Sequence, residues 1–386
     1  MSGATSVIGI VAGEASGDLL GAHLIEALKP HLPLTRFVGI GGPRMRTAGL
    51  EVLYPMEKLA VRGYVEVLRH YLEIVGIRRR LAAHFLRAPP ACFIGIDAPD
   101  FNLDLERRLK AAGIPTVQYV SPQIWAWRSE RLRQIKRAVD KMLTVFPFEA
   151  DLYEAAQIPV AYVGHPLADM LGDIPGMRAA REQLRLPAAA RIVALLPGSR
   201  VSELEQMADL FAATAAEIAR ADPDVLFLAP LVSSETRKRF EAALYRRGAP
   251  SLNLTMLFGH AHEAMAAADV VLVSSGTATL EAALLRRPMV ITYRMPRLSW
   301  WIMKRRFHHP YVGLPNILSG EFVVPEILQD DATPENLAQA VLNLMFDATV
   351  RARIDARFSR LLGELRQNTA QKVTQALLPM LNGRPA

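Results

Sequence analysis

The chain has 386 residues, of which 51% are hydrophobic and 22% charged, so it can bury large cores and has the length of two or three domains. Its 45 lysines and arginines against 38 aspartates and glutamates give a net charge of +7, which favours an anionic partner: a nucleic acid, a phosphorylated substrate or an acidic membrane surface. The single cysteine, Cys92, excludes disulfides and cysteine-based metal sites. Neither a leader pattern nor an uncharged membrane-spanning run is seen, which predicts a cytoplasmic protein.

Apolar runs alternate with segments of helical periodicity in both halves of the chain, as in repeated βαβ units. In the first half, strands are predicted at residues 7–12, 37–40, 92–96, 116–120, 141–145 and 160–163. In the second half, they are predicted at residues 192–196, 225–229, 252–257, 269–273 and 289–293. The predicted fold class is therefore α/β, with two Rossmann-like doubly wound domains facing a cleft at the carboxyl ends of their strands.

The predicted boundaries follow from breaks in this rhythm. An N-terminal domain covers residues 1–168, a linker with weak periodicity covers 169–190, and a second domain covers 191–345. Helical patterns fill residues 346–386. These last helices could stay with the second domain or cross back to the first.

The turn after the first predicted strand carries an acid, Glu14, between Gly13 and Gly17. The glycines permit a tight turn and close approach of a ligand to the backbone. A nicotinamide-binding fold would need G-x-G-x-x-G here and an acid after the second strand, and neither is present, which argues against a dehydrogenase. Helix capping is the alternative role for Ser16 and Asp18.

A second acid, Asp97, directly follows the predicted strand at 92–96 and precedes Pro99. An acid at the carboxyl end of a buried strand is well placed to be a general base. Asp100 and Asn102 stand just before the next helical pattern and are natural N-caps. Asp97 is therefore preferred as the base over Asp100.

Two turns in the second half suit the phosphates and sugar of a nucleotide. Gly198, Ser199 and Arg200 follow the strand at 192–196, and they offer backbone, hydroxyl and guanidinium donors to phosphate oxygens. Ser275, Gly276 and Thr277 open a helix after the strand at 269–273, where free N–H groups favour an anion. Glu281, one turn into that helix, would accept sugar hydroxyls; a helix-capping charge is the alternative.

Residues 64–75 form a helical pattern whose apolar side covers about half of the helix wheel, more than one core needs. Arginines at 69, 78, 79 and 80 flank it, as in a helix that lies on an anionic membrane. An ordinary buried helix is the alternative. The residues predicted to contact membrane or acyl chains are Val65, Val67, Leu68, Tyr71, Leu72 and Val75.

Metal and nucleic-acid sites are not predicted. His260, His262, His308 and His309 lack companions at the spacing of metal ligands. Aromatic and basic residues come together at residues 300–306, but basic residues are scattered elsewhere, which disfavours nucleic acid as the partner. No cofactor is expected.

The ordered motifs together resemble the lipid A disaccharide synthase family, metal-independent inverting glycosyltransferases of the GT-B type. They are VAGEASGD at 11–18, GIDAPDFN at 95–102, YVSPQIWAWR at 119–128, LPGSR at 196–200, SGTATLE at 275–281 and LPN at 314–316. The resemblance implies transfer from the donor UDP-2,3-diacylglucosamine to the acceptor 2,3-diacylglucosamine 1-phosphate, at the cytoplasmic face of a Gram-negative inner membrane. It also suggests that Phe258, Gly259, His260 and Asn316 belong to the nucleotide-sugar site.

Other functions remain open from the sequence. One is another GT-B enzyme that uses UDP-N-acetylglucosamine, either a lipid-linked transferase or a 2-epimerase. The other is a non-catalytic binder of membranes or nucleic acid, although binding alone gives no reason for an acid and a phosphate clamp. The sequence also leaves open whether Asp97 or Glu14 is the base, and whether copies of the chain form a homo-oligomer.

Overall fold

The computed structural model describes residues 6–59, 64–122, 124, 131–171, 176–249, 251–296, 300, 301, 305 and 309–382. The side chains of residues 64–70 and of residue 382 are outside this description. The chain divides into two compact units. The first comprises Met1–Asp169 and Leu365–Ala386, and the second comprises Met170–Glu364.

The first unit is built on a parallel sheet. Its described strands are β1 (Val7–Ala12), β2 (Arg36–Gly41), β3 (Leu50–Pro55), β4 (Cys92–Ile96), β5 (Thr116–Tyr119), β6 (Lys141–Thr144) and β7 (Val160–Tyr162). They lie in the order β3-β2-β1-β4-β5-β6-β7, and each neighbouring pair is parallel. The central strands are buried, apart from the half-buried Val7 at the start of β1, as expected for a sheet that is covered on both faces.

Helices connect these strands. They are α1 (Ala15–Leu28), α2 (Pro43–Ala48), α3 (Tyr64–Arg87), α4 (Pro99–Ala111), α5 (Arg131–Ala138), α6 (Pro147–Ala155) and α7 (Pro166–Leu171). Proline opens α2, α4 and α6, where its missing N–H costs no intrahelical hydrogen bond. One core joins α3 and α4 to the sheet through Phe85, Phe93 and Leu105.

The second unit repeats this plan. Its described strands are β8 (Ile192–Leu196), β9 (Leu226–Leu231), β10 (Leu254–Phe258), β11 (Val270–Ser274), β12 (Met289–Tyr293) and β13 (Glu326–Leu328). All pairs are parallel, in the order β10-β9-β8-β11-β12-β13. Its described helices are α8 (Met177–Gln183), α9 (Val201–Ala221), α10 (Ser234–Arg246), α11 (Ala261–Ala267), α12 (Thr277–Leu284), α13 (Leu314–Ser319), α14 (Pro334–Phe346) and α15 (Ala348–Leu365).

The predicted linker is partly structured. Helix α8 lies within residues 169–190 and is held to the second unit by Arg181, which is buried. The Arg181 guanidinium donates to the Ala267 carbonyl oxygen at 2.9 Å and to Asp269 Oδ2 at 2.9 Å. Residues 176–190 therefore belong to the second unit, because the buried Arg181 is hydrogen-bonded to residues of that unit that are distant in sequence.

The two long C-terminal helices go to different units. Helix α15 stays with the second unit up to Glu364, whereas α16 (Thr369–Asn382) belongs to the first. Asp169 fixes the start of α16 by accepting the backbone N–H groups of Asn368 at 3.1 Å and Thr369 at 2.7 Å. Along α16, Lys141 Nζ donates to the Ala376 carbonyl oxygen at 3.0 Å.

Candidate active site

In the first unit, Glu14 and Asp97 follow neighbouring strands at one edge of the sheet. β1 and β4 are paired in register up to Ala12 and Ile96, so the loops that follow both strands start side by side. They are in contact, because a Cβ on Gly13 would lie 3.1 Å from Ala98 Cβ. This pairing places Glu14 and Asp97 at the same edge of the sheet. We call this place the acid edge.

The backbone at Asp97 has an unusual conformation. Asp97 and Ala98 have φ values of 50° and 42°, in the left-handed region that non-glycine residues rarely adopt. Two buried amide groups hold it there: Asn102 Nδ2 donates to the Asp97 carbonyl oxygen at 2.9 Å, and Gln118 Nε2 donates to the same oxygen at 3.0 Å. Backbone strain that is held by surrounding groups is typical of functional sites.

The predicted caps at this edge are used differently. Ala98, not Asp100 or Asn102, is the N-cap of α4. The Asn102 side chain turns inward and donates to the Asp97 carbonyl oxygen. Asp100 instead pairs with Arg131. Glu14 occupies the N-cap position of α1, but its side chain makes no capping hydrogen bond.

Asp18 also has a role that periodicity could not predict. Its buried carboxylate accepts the backbone N–H groups of Gly42 at 2.8 Å, Arg44 at 3.0 Å and Met45 at 3.0 Å. These groups belong to the start of α2, so Asp18 caps a helix other than its own. The loop after β2 is thereby tied to α1.

In the second unit, the predicted phosphate residues lie at the carboxyl edge of the second sheet. β8 and β11 are neighbours, paired in register up to Leu196 and Val273. The turn at Gly198–Arg200 and the turn at Ser275–Gly276 therefore start side by side. We call this place the phosphate edge.

Glu203 occupies donors that the sequence assigned to phosphate. Its carboxylate accepts the backbone N–H groups of Ser199 at 2.8 Å and Arg200 at 3.2 Å, and the Arg200 Nη1 group at 3.1 Å. In this structure these two backbone N–H groups are engaged by Glu203, and their binding to phosphate stays a prediction. The sequence signal for the Glu203 contacts was an acid three residues after the start of a helix. The Arg200 side chain remains 40% exposed.

The start of α12 is open. Gly276 and Thr277 are exposed, and among the residues that the structure describes, apart from its chain neighbours, none has an atom within 4 Å of where a Cβ on Gly276 would be. The first N–H groups of a helix have no intrahelical acceptor, and they carry the positive end of the helix dipole. This surface can receive an oxyanion.

Glu281 is held by a histidine. His262 Nε2 lies 3.2 Å from Glu281 Oε2, and both side chains are partly buried. His262 comes from α11, and its contact with Glu281 could not be predicted from the spacing of the sequence. A carboxylate accepts hydrogen bonds at both of its oxygens, so Glu281 can accept further hydrogen bonds while Oε2 pairs with His262.

Phe258, Gly259 and His260 end β10 and lead into α11. The Phe258 side chain is 69% exposed, although it is a large aromatic group. Gly259 and His260 have φ values of 73° and 56°, so the chain turns sharply here. An exposed ring beside a sharp turn is a suitable surface for a planar base.

Asn316 has a different position from the one expected of a ligand-binding residue. It is fully buried, and its Nδ2 group donates to the Val324 carbonyl oxygen at 2.9 Å and to Glu326 Oε1 at 2.8 Å. Its Oδ1 atom accepts the Val323 N–H at 2.8 Å. Its amide is therefore engaged with this loop, and the assignment of Asn316 to the nucleotide-sugar site stays a prediction.

From residue 71 onward, helix α3 has both exposed and buried apolar side chains. Ile77 and Phe85 are in the core, whereas Tyr71 is 54% exposed and Leu72 is 82% exposed; Val75 is half-buried. The side chains of Val65, Val67, Leu68 and Arg69 lie outside the described residues. Arg78 is not a surface charge, because it is mostly buried and pairs with Asp104 at 3.2 Å.

Two features are absent from the described part of the chain. Over the residues that the structure describes, no helix is both long and apolar enough to cross a membrane. Within the same residues, no three histidine, cysteine, aspartate or glutamate side chains are grouped as metal ligands. Much of the motif at 119–128, namely residues 123 and 125–128, is outside the description.

The fold is similar to those of solved nucleotide-sugar enzymes. A UDP-GlcNAc 2-epimerase from Neisseria meningitidis, solved with UDP-GlcNAc, matches with a TM-score of 0.65 and 12% identity over 96% of this chain and 99% of that one. MurG from Acinetobacter baumannii matches with a TM-score of 0.58 and 14% identity over 96% and 99%. The predicted fold class, α/β with two Rossmann-like domains of the GT-B type, is confirmed.

The sequence relatives are more specific. A lipid-A-disaccharide synthase from Methylobacillus flagellatus is 56% identical over 374 residues, which are 97% of this chain and 99% of the relative. Another from Dechloromonas aromatica is 54% identical over 97% of this chain and 98% of the relative. The sequence model described as Lipid-A-disaccharide synthetase matches residues 8–378. The chain therefore belongs to the lipid-A-disaccharide synthetase family.

Proposed function

We propose that this glycosyltransferase uses Asp97 as the base of an inverting, metal-free displacement. The hexosyl group of UDP-2,3-diacylglucosamine passes to the 6-hydroxyl of 2,3-diacylglucosamine 1-phosphate, and UDP is released. The observation that carries the assignment of the base is the position of Asp97: it ends a buried central strand, and its backbone is held in a left-handed conformation by two buried amides. Such pre-organisation suits a group that must meet a reacting hydroxyl.

The chemical step is a single displacement. The Asp97 carboxylate takes the proton of the acceptor 6-hydroxyl as that oxygen forms a bond to C1 of the donor sugar. The bond between C1 and the diphosphate oxygen breaks, and its electron pair leaves with UDP. Inversion follows because the nucleophile and the leaving group are on opposite faces of C1. Glu14, in the adjoining loop, is assigned to orient Asp97 or the acceptor.

The residues of the phosphate edge are assigned to the donor. Arg200 and the N-terminus of α12 would stabilise the diphosphate as negative charge develops on it. Gly198, Ser275, Gly276 and Thr277 would let the phosphates approach the backbone and supply hydroxyl groups, and Ser199 would contribute its hydroxyl. Glu281, which His262 orients, would accept ribose hydroxyls. Phe258, Gly259 and His260 would contact uracil.

The release of Arg200 from Glu203 is part of this proposal. In the described state the Arg200 guanidinium pairs with Glu203 at 3.1 Å. A diphosphate carries more negative charge than one carboxylate, so it competes well for an exposed guanidinium. Glu203 would keep the loop in shape through the Ser199 N–H while Arg200 turns to the donor.

The exposed apolar part of α3 is assigned to the membrane. The acyl chains of both substrates cost about 0.8 kcal/mol for each CH₂ exposed to water, so the enzyme needs a lipid surface or an apolar groove beside its site. Tyr71 and Leu72 provide exposed apolar area, and Val65, Val67, Leu68 and Val75 complete the predicted face. We assign the protein to the cytoplasmic face of the inner membrane as a peripheral enzyme.

Product analysis tests the assignment. Purified protein is incubated with both acylated substrates in detergent micelles, and the products are identified by mass spectrometry and by the anomeric coupling in NMR spectra. One UDP is expected for each disaccharide 1-phosphate, with inverted anomeric configuration and undiminished rate in chelator. Epimerisation of UDP-N-acetylglucosamine without an acceptor, retained configuration or loss of activity in chelator would contradict the proposal.

A further inference from the structure

A cluster of polar side chains is buried behind the acid edge. Asn102 and Glu106 come from α4, and Gln118 comes from β5; all of them are fully buried. They surround the face of Gly95 on β4, where a Cβ would lie 2.3 Å from Glu106 Oε1, 2.7 Å from Gln118 Oε1 and 2.9 Å from Asn102 Cβ. Glycine is required at 95 because the two oxygen atoms occupy the space that a side chain would need.

The orientation of both amides is set by the loop at Asp97. Gln118 Nε2 and Asn102 Nδ2 both donate to the Asp97 carbonyl oxygen, at 3.0 Å and 2.9 Å. Rotating either amide by 180° would bring its oxygen against that carbonyl oxygen, so the observed orientation is the favourable one. The amide oxygens of Gln118 and Asn102 must therefore point away from Asp97.

These oxygens lack donors. Among the residues that the structure describes, Gln118 Oε1, Asn102 Oδ1 and both carboxyl oxygens of Glu106 have no hydrogen-bond partner. Four buried oxygen atoms that all accept and never donate would be mutually repulsive. Buried polar atoms are almost always paired, and each exception needs a physical reason.

One proton resolves the arrangement. We propose that Glu106 is protonated in the folded enzyme and that its carboxyl O–H donates to Gln118 Oε1, so that Glu106 is a positioning residue for Asp97. The chain of hydrogen bonds then runs from Glu106 to Gln118 and from Gln118 to the Asp97 carbonyl oxygen. It fixes the left-handed turn that aims the Asp97 carboxylate. This inference rests on the proposed function only in its last step, the link to turnover.

The electrostatics agree with this arrangement. Burial raises the pKa of Glu106 well above its usual value, and an interaction with the Gly95 backbone lowers this pKa by a smaller amount. Arg78, Arg107 and Arg108 pair with Asp104 on the same helix as Glu106, and the described residues show no ion pair of Glu106 itself. Asp18 provides a contrast, since its equally buried carboxylate accepts three backbone N–H groups.

Infrared difference spectroscopy tests the proton directly. The spectrum of the E106Q variant is subtracted from that of the wild type in D₂O at neutral pH, and the C=O stretch of a protonated carboxyl group is sought. The proposal expects this band in the wild type and not in E106Q. Its absence from the wild type would overturn the proposal, whatever the role of Asp97.

Kinetics test the link to Asp97. Glutamine at 106 keeps an N–H donor for Gln118, so E106Q should retain turnover to within about threefold, whereas E106L removes the donor and should lower kcat by about tenfold or more. The KM for the UDP donor should stay within about twofold in both, because the phosphate edge is untouched. The exposed Glu154 gives a matched control: E154L should behave as wild type.

The double variant separates positioning from general destabilisation. If Glu106 acts through Gln118, E106L/Q118L should be no slower than Q118L alone. Independent, multiplicative losses in kcat would overturn the chain of hydrogen bonds, as would E106L with a lowered Tm but wild-type kcat for its folded fraction. If E106L does not fold, the infrared band decides. Failure of Asp97 as the base appears separately, as turnover in D97N.

Discussion

Replacing Asp97 by asparagine should remove catalysis and leave the fold intact. The Asp97 backbone is held through its carbonyl oxygen, which accepts from Asn102 and Gln118, and asparagine has the same size and shape as aspartate. Its φ of 50° lies in the left-handed region, which asparagine tolerates nearly as well as aspartate. D97N should therefore melt at the wild-type temperature, and any loss of turnover reports on chemistry.

The expected loss follows from the base's role. General-base catalysis is worth about 10²- to 10⁴-fold in rate, or about 3 to 5 kcal/mol of barrier. D97A should lose the same rate and, in addition, about 1 kcal/mol of stability, because alanine lacks the polar side chain that makes a left-handed conformation tolerable. The stability difference between the two variants thus measures backbone strain, and their shared loss of turnover measures catalysis.

The assay is UDP release with both acylated substrates, with UDP affinity measured by calorimetry. UDP affinity should be unchanged, since the residues that we assign to the UDP-sugar donor are in the second unit. D100N is the matched control, because Asp100 is three residues further on and pairs with Arg131 at the surface. If D97N kept more than about a tenth of wild-type turnover, Asp97 would not be the base and Glu14 would take that role.

Three further outcomes are expected. R200A should lower kcat/KM by about 10²- to 10³-fold, about 3 to 4 kcal/mol of transition-state stabilisation, while R178A, at an exposed ion pair, should not; equal effects would refute the phosphate role. Serine at Tyr71 and Leu72 should weaken binding to anionic vesicles with an unchanged Tm, and unchanged vesicle binding would show that this face does not meet lipid. Burial lowers the pKa of His165 to about 4, whereas a histidine in the unfolded chain has a pKa of about 6.5. Below about pH 6.5 the unfolded chain therefore binds a proton that the folded chain does not, and the folded state loses stability. Between pH 7 and pH 5 the free energy of unfolding should fall by about 2 kcal/mol because of this group. In urea unfolding, H165N, which keeps an acceptor, should not show this part of the loss; the same dependence of stability on pH in H165N and in the wild type would refute the role of His165.

The strands were predictable because buried parallel strands are continuous apolar runs. β4, β8 and β11 are buried along their whole length, so the runs at 92–96, 192–196 and 269–273 stood out. β3 alternates between buried and exposed residues at the sheet edge, and β13 has three half-buried residues. Neither segment is a continuous apolar run, since LEVLYP at 50–55 contains Glu51 and ends in proline and EIL at 326–328 has only three residues; both strands were therefore missed.

The site was predictable only where it follows from strand order. Acids and glycines after strands could be placed at the carboxyl edges from the sequence alone. Their supports come from other elements: Gln118 lies on β5 and His262 on α11. Such contacts depend on tertiary packing, and no periodicity encodes them. The contact of Glu203 with Arg200 is different, because the two residues are only three apart in sequence and the capping pattern could be recognised there.

The buried acids of the first unit explain how the acid edge can be rigid. Asp18 holds the loop after β2 by accepting backbone N–H groups at the start of α2. Gln118, which the proposed proton on Glu106 would fix, holds the loop after β4. Since β1 lies between β2 and β4, the loop that carries Glu14 has a braced neighbour on each side. Supports on helices and strands limit the freedom of the loop residues to which we assign the chemistry, and such a limit is what an oriented pair of acids would need.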